Sequence, residues 1–408
     1  QVVCTCSSRV VPDRGMRLAR QGRPAIASAR MASASAVPSR CRGGGGGGVA
    51  LATAAAASVG RAAARRQCRR GLVTSCTAAA QAGPLFRFGV IADVQFADID
   101  DEFNFAQTKK RAYRGALDCL RHAVDTWTSG PPLAFIADLG DIIDQRNEQL
   151  GASEDALAAV VAEFRRLKYP VHHLVGNHEL YNFTRAQLSE RLGIPTPAFH
   201  SFVPAAGWRV CVLDSYDMNV IDNREVLPEQ EQSYAYLAER NPNDIRGRGN
   251  SDWSLGLKGL AKRFVPVNGA VGKRQLDWLH ENLAEARANC ERVICLTHVP
   301  VMPGSCKDIT LIWNYEEVLD IMRSSGCVVC TLAGHDHDGG YCLDDSGIHH
   351  VVLPSPLHTA EGDRRAHARI EAFDDRLELV GAGLVPPRRL ALGSAGQAAG
   401  GLQVASAL

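Results

Sequence analysis

An α/β architecture, with helices layered on sheet, is what this 408-residue chain predicts. Two observations carry it. Short apolar runs alternate with stretches of helical apolar spacing, the pattern of strands and helices taken in turn. Clusters of Gly, Asp, Asn and His follow the apolar runs, where open α/β sheets hold their ligands.

The elements follow in order. Phe86 to Ala92 predicts a first strand, closed by Asp93-Val94-Gln95. Lys109 to Thr126 predicts a helix, with Ala112, Ala116, Leu117, Leu120 and Val124 at helical spacing. Leu133 to Ala137 predicts a second strand ending at Asp138-Leu139-Gly140-Asp141, and Glu154 to Leu167 a helix with Ser153 as N-cap. Val171 to Val175 predicts a third strand, leading into Gly176-Asn177-His178-Glu179, and Trp208 to Asp214 a fourth. Tyr216 to Asn268 breaks the rhythm, with a short helix expected around Glu231 to Arg240; loops this long are functional covers or insertions. Alternation then resumes. Gly272 to Ala288 predicts a helix, Arg292 to Leu296 a strand ending at Thr297-His298, Tyr315 to Ser324 a helix, and Val328 to Ala333 a strand ending at Gly334-His335. His349 to Leu353, Ala368 to Ala372 and Arg376 to Val380 predict late strands, and the tail from about Val385 is expected to be unstructured.

Formal net charge is +1, so no general field favours nucleic acid or membrane, and neither is expected as a partner. No run of about 18 uncharged apolar residues predicts a transmembrane helix. The charge is uneven, however. Residues 1–84 hold roughly a dozen Arg and a single acid, Asp13, in an Ala/Ser/Gly-rich background. Such a segment lacks the apolar surface to offset the entropy of ordering, so disorder is expected. Its composition reads as a transit peptide to chloroplast or mitochondrion; without that role the cytoplasm is expected. The expected organisation is a leader over 1–84, one domain over 85–384 and a disordered tail over 385–408. Cys327-Val-Val-Cys330 lies in an apolar run and reads as small core residues, and the scattered cysteines suggest a reducing compartment.

The strand ends supply the chemistry: Asp93-x-Gln95, Gly140-Asp141-x-x-Asp144, Gly176-Asn177-His178-Glu179, Thr297-His298, and Gly334-His335-Asp336-His337. Each alone has a plain explanation. A strand-end acid caps a turn, a lone His before Val-Pro is satisfied in a core, and histidines on a Gly-rich loop face water. Five in succession, each after an apolar strand, point to a divalent-cation site. Carboxylate, amide oxygen and imidazole suit Mn²⁺, Fe²⁺ or Mg²⁺ better than a soft thiolate-seeking ion. There are more ligands than one ion needs, and Asp141 can bridge two. Two ions about 3.5–4 Å apart clamp a phosphoryl group and supply hydroxide near neutral pH. Period-two alternation is expected to put Asp93 and Gln95 on one face.

The order D-x-[HQ], GDxxD, GNHE, H, GHxH resembles the calcineurin-like metallophosphoesterases. Within them, FGVIADVQFADIDDEFNF, GNHELYNF, RFVPVNGAVGKRQLDWL, WNYEEVL and AGHDHDGGY resemble the manganese-dependent ADP-ribose/CDP-alcohol diphosphatases, over residues 85–384. The resemblance implies a four-layer αββα sandwich, a monomer, and two Mn²⁺ ions with Mg²⁺ as substitute. It implies Asp93, Gln95, Asp141 and His337 around one ion, and Asp141, Asn177, His298 and His335 around the other. His178, steadied by Asp144 and next to Asn177, is implied to act on the leaving group or a phosphate oxygen. Phe105, Tyr181, Asn182, Asn268 and Tyr315 are implied to line the nucleoside slot, with Phe105 stacking on the base. Lys109 and Arg111 are candidate phosphate contacts or simply solvated cations.

The implied reaction is hydrolysis of the pyrophosphate of ADP-ribose or a CDP-alcohol, giving AMP or CMP and a phosphorylated sugar or alcohol. Gln95 stands where most relatives carry His; its weaker, harder oxygen is expected to bias that site toward Mn²⁺ and leave it exchangeable. Two rivals accompany this reading: a phosphomonoesterase or cyclic-nucleotide phosphodiesterase on the same ions, since fold does not fix substrate, and a non-catalytic metal-bound scaffold. A nuclease expects a basic groove, and no basic excess marks the region from Leu85 onward.

Overall fold

A computed structural model describes residues 83–104, 107–221, 228–246 and 252–393. The leader and Phe105 lie outside the described residues. Two six-stranded sheets form the body. One has the order β14 (Arg388–Ala391), β13 (Arg376–Gly383), β12 (Ala366–Ala372), β1 (Phe86–Ile91), β4 (Phe135–Asp138) and β5 (Val171–His173). The other runs β10 (Gly340–Leu343), β11 (His349–Val352), β9 (Val328–Ala333), β8 (Arg292–Leu296), β7 (Trp208–Val212) and β6 (His200–Ala205). A hairpin of β2 (Glu102–Phe103) and β3 (Lys110–Arg111) stands apart.

Strand alternation explains the layers. Phe86, Phe88 and Val90 of β1 join Phe135, Trp208, Val210, Ile294, Leu332 and Val351 in a core between the sheets. Phe88 stacks on Phe135 at 4.5 Å, and Phe86 meets Trp208 of the other sheet edge-on at 5.5 Å. The opposite faces hold a second apolar cluster with the helices. The helix Tyr113–Ser129 buries Ala116, Leu117, Leu120, Val124 and Trp127 as one stripe. It lies so close to β1 that a Cβ on Gly89 would fall 2.7 Å from Trp127 and from Ile136. Gly89→Ala overpacks this contact and costs about 1–3 kcal/mol. Helices Lys273–Ala288 and Tyr315–Ser325 flank the second sheet. The result is the expected αββα sandwich.

Several local expectations are corrected. The helix expected from Lys109 starts at Tyr113, because Lys110 and Arg111 pair with Phe103 and Glu102 in the hairpin. The apolar spacing begins only at Ala112, and the basic run before it has acidic partners: Lys109 with Asp338, Lys110 with Asp101, Arg111 with Asp144. Ser153 is the first residue of its helix, not the cap, and its hydroxyl donates to Asn182 Oδ1 at 2.7 Å. The stretch from Val385, expected to be unstructured, contains a strand. β14 pairs antiparallel with β13, and Val385 and Leu390 fall into the inter-sheet core. The long connection holds a helix, Pro228–Ala238, and Val220, Leu237, Phe264, Ala270 and Trp313 form a small core of their own. No described helix is long and apolar enough to cross a membrane. Cys327 and Cys330 are free and buried, as small core residues should be.

The central strands β1, β4 and β5 run parallel to one another, as do β7, β8, β9 and β11. The loops after β1, β4, β5, β8 and β9 carry the polar clusters.

Candidate metal centre

Asp93 and Gln95 do converge, but not by strand alternation. β1 ends at Ile91, and both residues adopt left-handed backbone, with φ of 53° and 42°. Asp141 (57°) and His335 (67°) do the same. Left-handed backbone costs a non-glycine residue roughly 1–2 kcal/mol and persists where surroundings over-determine it. Here they do. The loop after β1 runs beside the loop after β4, with Asp93 N donating to Gly140 O at 3.0 Å and Gln95 N to Asp141 O at 2.8 Å. The buried Glu179 carboxylate accepts from the backbone N–H of Asp141, Ile142 and Gly176 at 2.7–2.8 Å. Gly176 is required by close approach, since a Cβ there would lie 2.1 Å from Asp141 Oδ1. Asp93 is held from the other sheet: its carboxylate accepts from His335 N, and its carbonyl from Ser355 Oγ at 2.7 Å.

Three imidazoles complete the cluster, and their outer contacts decide which nitrogen faces inward. His298 Nδ1 donates to the Leu139 carbonyl at 2.7 Å, leaving Nε2 3.3 Å from Asp141 Oδ2. Asn268 Nδ2 donates to the carbonyls of Arg263 and Ile309, so its Oδ1 must accept from His335 Nε2 at 2.7 Å. His335 Nδ1 is then the inward lone pair. His358 Nδ1 donates to the Lys110 carbonyl at 2.9 Å, so its Nε2 accepts from His337 Nδ1 at 3.4 Å. His337 Nε2 is left facing Gln95 Nε2 at 2.9 Å. Outer partners of this kind fix tautomer and ring orientation at metal sites. Asp141, His298 and His335 bring ligand atoms within 4.8 Å of one another.

The amides obey the same accounting. Tyr216 Oη has one proton and two neighbours, Asn177 Oδ1 at 3.0 Å and the Val267 carbonyl at 3.1 Å. The carbonyl can only accept. Giving it the proton turns the Asn177 amide so that Nδ2 meets Tyr216 and Oδ1 faces the cluster. Gln95 Nε2 donates to Asp141 Oδ2 at 3.1 Å, while Gln95 Oε1 is buried without a partner. Gln95, Asp141 and His337 would hold a cation with that amide turned over, presenting its oxygen, since O and N are interchangeable in outline.

The electrostatics call for positive charge. Burial pushes Asp93 up to about 8. Asp141 is held below the ordinary range: burial would raise it, but His298 and His178 outweigh that. Burial works against a charged His298, yet the neighbouring Asp141 carboxylate lifts it to about 10. Burial drops His335 to about 3, and burial followed by Arg111 drops His337 well below its usual value. His298 Nε2, like Gln95 Oε1, is a buried atom outside any hydrogen bond. Converging oxygens, two imidazoles held neutral, and a third whose proton Asp141 retains and a cation would replace, fit hard or borderline divalent ions.

His178 faces the same space. Gln145 N donates to its Nδ1 at 2.8 Å, so the ring proton sits on Nε2, which lies 4.0 Å from Asp141 Oδ2. Asp144 was expected to hold this ring by a hydrogen bond. Instead Asp144 Oδ2 stays 3.5 Å from Nδ1, and its Oδ1 accepts from Arg146 N. Of the expected slot residues, Tyr181 packs edge-on against His178 at 5.6 Å. Asn182 and Asn268 are buried and fully engaged with protein: Asn182 binds Ser153, Asp144 O and His178 O. Both are supports, not substrate contacts. Tyr315 starts a helix with Arg263 over its ring, and no described contact joins it to the cluster. Sequence reasoning passed over Glu179, Tyr216, Ser355 and His358 as supports. Of these only Glu179, inside GNHE, and Tyr216, just past a strand end, carried a local sign.

The calcineurin-like phosphoesterase family profile matches residues 86–339. A human manganese-dependent ADP-ribose/CDP-alcohol diphosphatase is 39% identical over 323 residues, covering 74% of this chain and 92% of its own. The protein of that name from Oryza sativa subsp. japonica is 40% identical over 304 residues, covering 73% of this chain and 91% of its own. The crystal structure of a dimetal phosphatase from Danio rerio is similar with a TM-score of 0.70 at 38% identity, covering 76% of this chain and 99% of that one.

Proposed function

The chain belongs to the calcineurin-like phosphoesterase family, and from that premise we propose that it is a manganese-dependent hydrolase of the pyrophosphate bond in ADP-ribose and CDP-alcohols. Products are AMP or CMP with a phosphorylated sugar or alcohol. The observation that carries the chemistry is the convergence of Asp141, His298 and His335, with Asp93, Gln95, Asn177 and His337 around them. The substrate class rests on the relatives' names and on the length of the match.

Asp93, Gln95, Asp141 and His337 would hold one ion, and Asp141, Asn177, His298 and His335 the other. Ions so held supply charge neutralisation at the phosphoryl oxygens and a water of lowered pKa. The chain's own residues do the rest. Leu139 O, Asn268 and His358 keep three imidazole lone pairs aimed inward. His178 presents an Nε2–H donor to a phosphate or leaving-group oxygen, the only proton its ring carries once Gln145 N occupies Nδ1. Arg111, 3.8 Å from Asp144, adds a guanidinium at the rim. We also infer a monomer, to be checked by sedimentation, and an organelle-directed leader, supported by the Arg excess over 1–84 and checked by imaging a leader fusion.

The deciding assay strips the chain of metal, restores Mn²⁺ or Mg²⁺, and follows ADP-ribose, CDP-choline, cyclic AMP and p-nitrophenyl phosphate. Mn²⁺-dependent AMP and CMP release is expected, with kcat about 10²–10⁴-fold lower in His178→Ala. Turnover of only the monoester or the cyclic nucleotide would overturn the substrate assignment.

A further inference from the structure

Asp336 stands between two histidines of the cluster, His335 and His337, yet its buried carboxylate is engaged elsewhere. Oδ2 accepts from Lys307 N at 2.7 Å, and Oδ1 from Lys307 Nζ at 3.0 Å and Asp338 N at 3.2 Å. Thr310 Oγ1 lies 3.0 Å from Oδ2 but also 2.9 Å from the Lys307 carbonyl, so its one proton serves both. The Lys307 ammonium is half-exposed and also meets Asp338, and such pairs are weak in water. The firm contact is the backbone N–H of Lys307. It pins the start of the turn Asp308–Thr310 to the segment that carries the histidines.

That turn leads back to the cluster. The Ile309 carbonyl accepts from Asn268 Nδ2 at 2.8 Å, and the Arg263 carbonyl takes the other amide proton. With both N–H groups placed, Asn268 Oδ1 faces His335 Nε2 at 2.7 Å. The contacts close a ring: His335, its neighbour Asp336, the 307–309 stretch, Asn268, and His335 again. Its links join residues 29, 41 and 67 apart in the chain, so the ring is tertiary and not a turn closing on itself.

We propose that Asp336 is a positioning residue of the metal centre. By holding the 307–310 turn it places the Ile309 carbonyl, and through Asn268 it fixes which nitrogen of His335 faces the ion. The proposal rests on the two-ion reading above and not on the choice of substrate. A carboxylate suits the task because it has an acceptor oxygen for each side, one toward the turn and one toward Asp338 N and the Lys307 ammonium. Asp336→Asn leaves one oxygen, and on the other side sets N–H against N–H.

The test titrates Mn²⁺ into the full, metal-stripped chain by electron paramagnetic resonance, with the folded fraction taken from circular dichroism. Asp336→Asn should bind Mn²⁺ about tenfold more weakly per folded molecule. Added Mn²⁺ should then restore kcat for ADP-ribose with KM nearly kept. Losing a negative charge would also weaken a cation, and two further variants separate the causes. In Asn268→Leu the link to His335 is already cut, so adding Asp336→Asn should weaken binding by no more than about twofold, where a charge effect would multiply in full. Lys307→Pro removes the pinning N–H at a φ of −68°, which proline adopts, and leaves Asp336 charged. Binding should fall about fivefold, although loss of a cation by itself would tighten it. Unchanged affinity in Asp336→Asn, full multiplication in the double variant, or unchanged or tighter binding in Lys307→Pro overturns the positioning role. A wild type that binds no Mn²⁺ is a different failure: it removes the two-ion reading and this proposal with it.

Discussion

The two sheets contribute to the site by different means. The first supplies Asp93, Gln95, Asp141 and Asn177, side chains that offer oxygen, three of them set on left-handed backbone. The second supplies His298, His335 and His337, nitrogen donors whose rings are set by hydrogen bonds on their far side. The oxygen half depends on how the main chain is held. The nitrogen half depends on which proton each ring keeps. The two halves should therefore fail differently when their supports are removed.

The largest break is expected at Glu179. Glu179→Gln replaces a carboxylate that gathers three backbone N–H groups with an amide that must present its own donors to them. Urea unfolding should show a loss of about 3 kcal/mol, with Mn²⁺ binding lost alongside. A change under about 0.5 kcal/mol would mean that the left-handed turns hold themselves.

On the nitrogen side, Asn268→Leu strands the carbonyls of Arg263 and Ile309 and should cost stability, but its distinguishing effect is Mn²⁺ bound about 10–100-fold more weakly per folded molecule, read by electron paramagnetic resonance titration. Tyr216→Phe should act likewise through Asn177. If either variant instead unfolds with metal affinity per folded molecule unchanged, the residue is core and not support.

Gln95→His is gentler. It places an imidazole in the oxygen half, and the expected result is a shift of about tenfold in relative affinity from Mn²⁺ toward softer ions, seen by competition with Zn²⁺. Unchanged preference would remove any special role for the amide.

The smallest effect lies outside the metal cluster, where β5 and β6, edge strands of the two sheets, meet. His172 of β5 stacks on Phe202 of β6 at 4.0 Å and meets His200 at 3.3 Å, with His173 next along the strand. Burial, then His200, lowers His172 to about 4 from an ordinary 6.5, and burial lowers His200 as well. A base depressed in the folded state binds fewer protons there than when unfolded, so stability falls as pH drops from about 6.5 to about 4 and levels below that. His172→Phe should flatten that slope in thermal melts at fixed metal. An unaltered slope would assign the acid sensitivity to other groups.

Much of this was legible early because it is local. Each polar cluster follows an apolar strand in the chain, so Asp93, Asp141, Asn177, His178, His298, His335 and His337 could be picked out one segment at a time. Asn182 and Asn268 read as slot residues in the sequence but are bonded within the protein, because an amide in a site segment reads the same whether it faces ligand or protein. Ser355 supports Asp93 from 262 residues away, and Asn268 supports His335 across 67. No local pattern marks such partners.

The sequence by itself determined the alternation of strands and helices, the donor chemistry at each strand end and the glycines that let main chain approach main chain, because these depend on residue type and short-range spacing. The tertiary structure alone decided that Asp93 and Gln95 meet through left-handed turns instead of a shared strand face, that β14 closes the first sheet, and which nitrogen of each histidine looks inward. The physical reason is that backbone strain, tautomer and amide orientation are set by whichever groups packing brings against them, and those groups are distant in the chain.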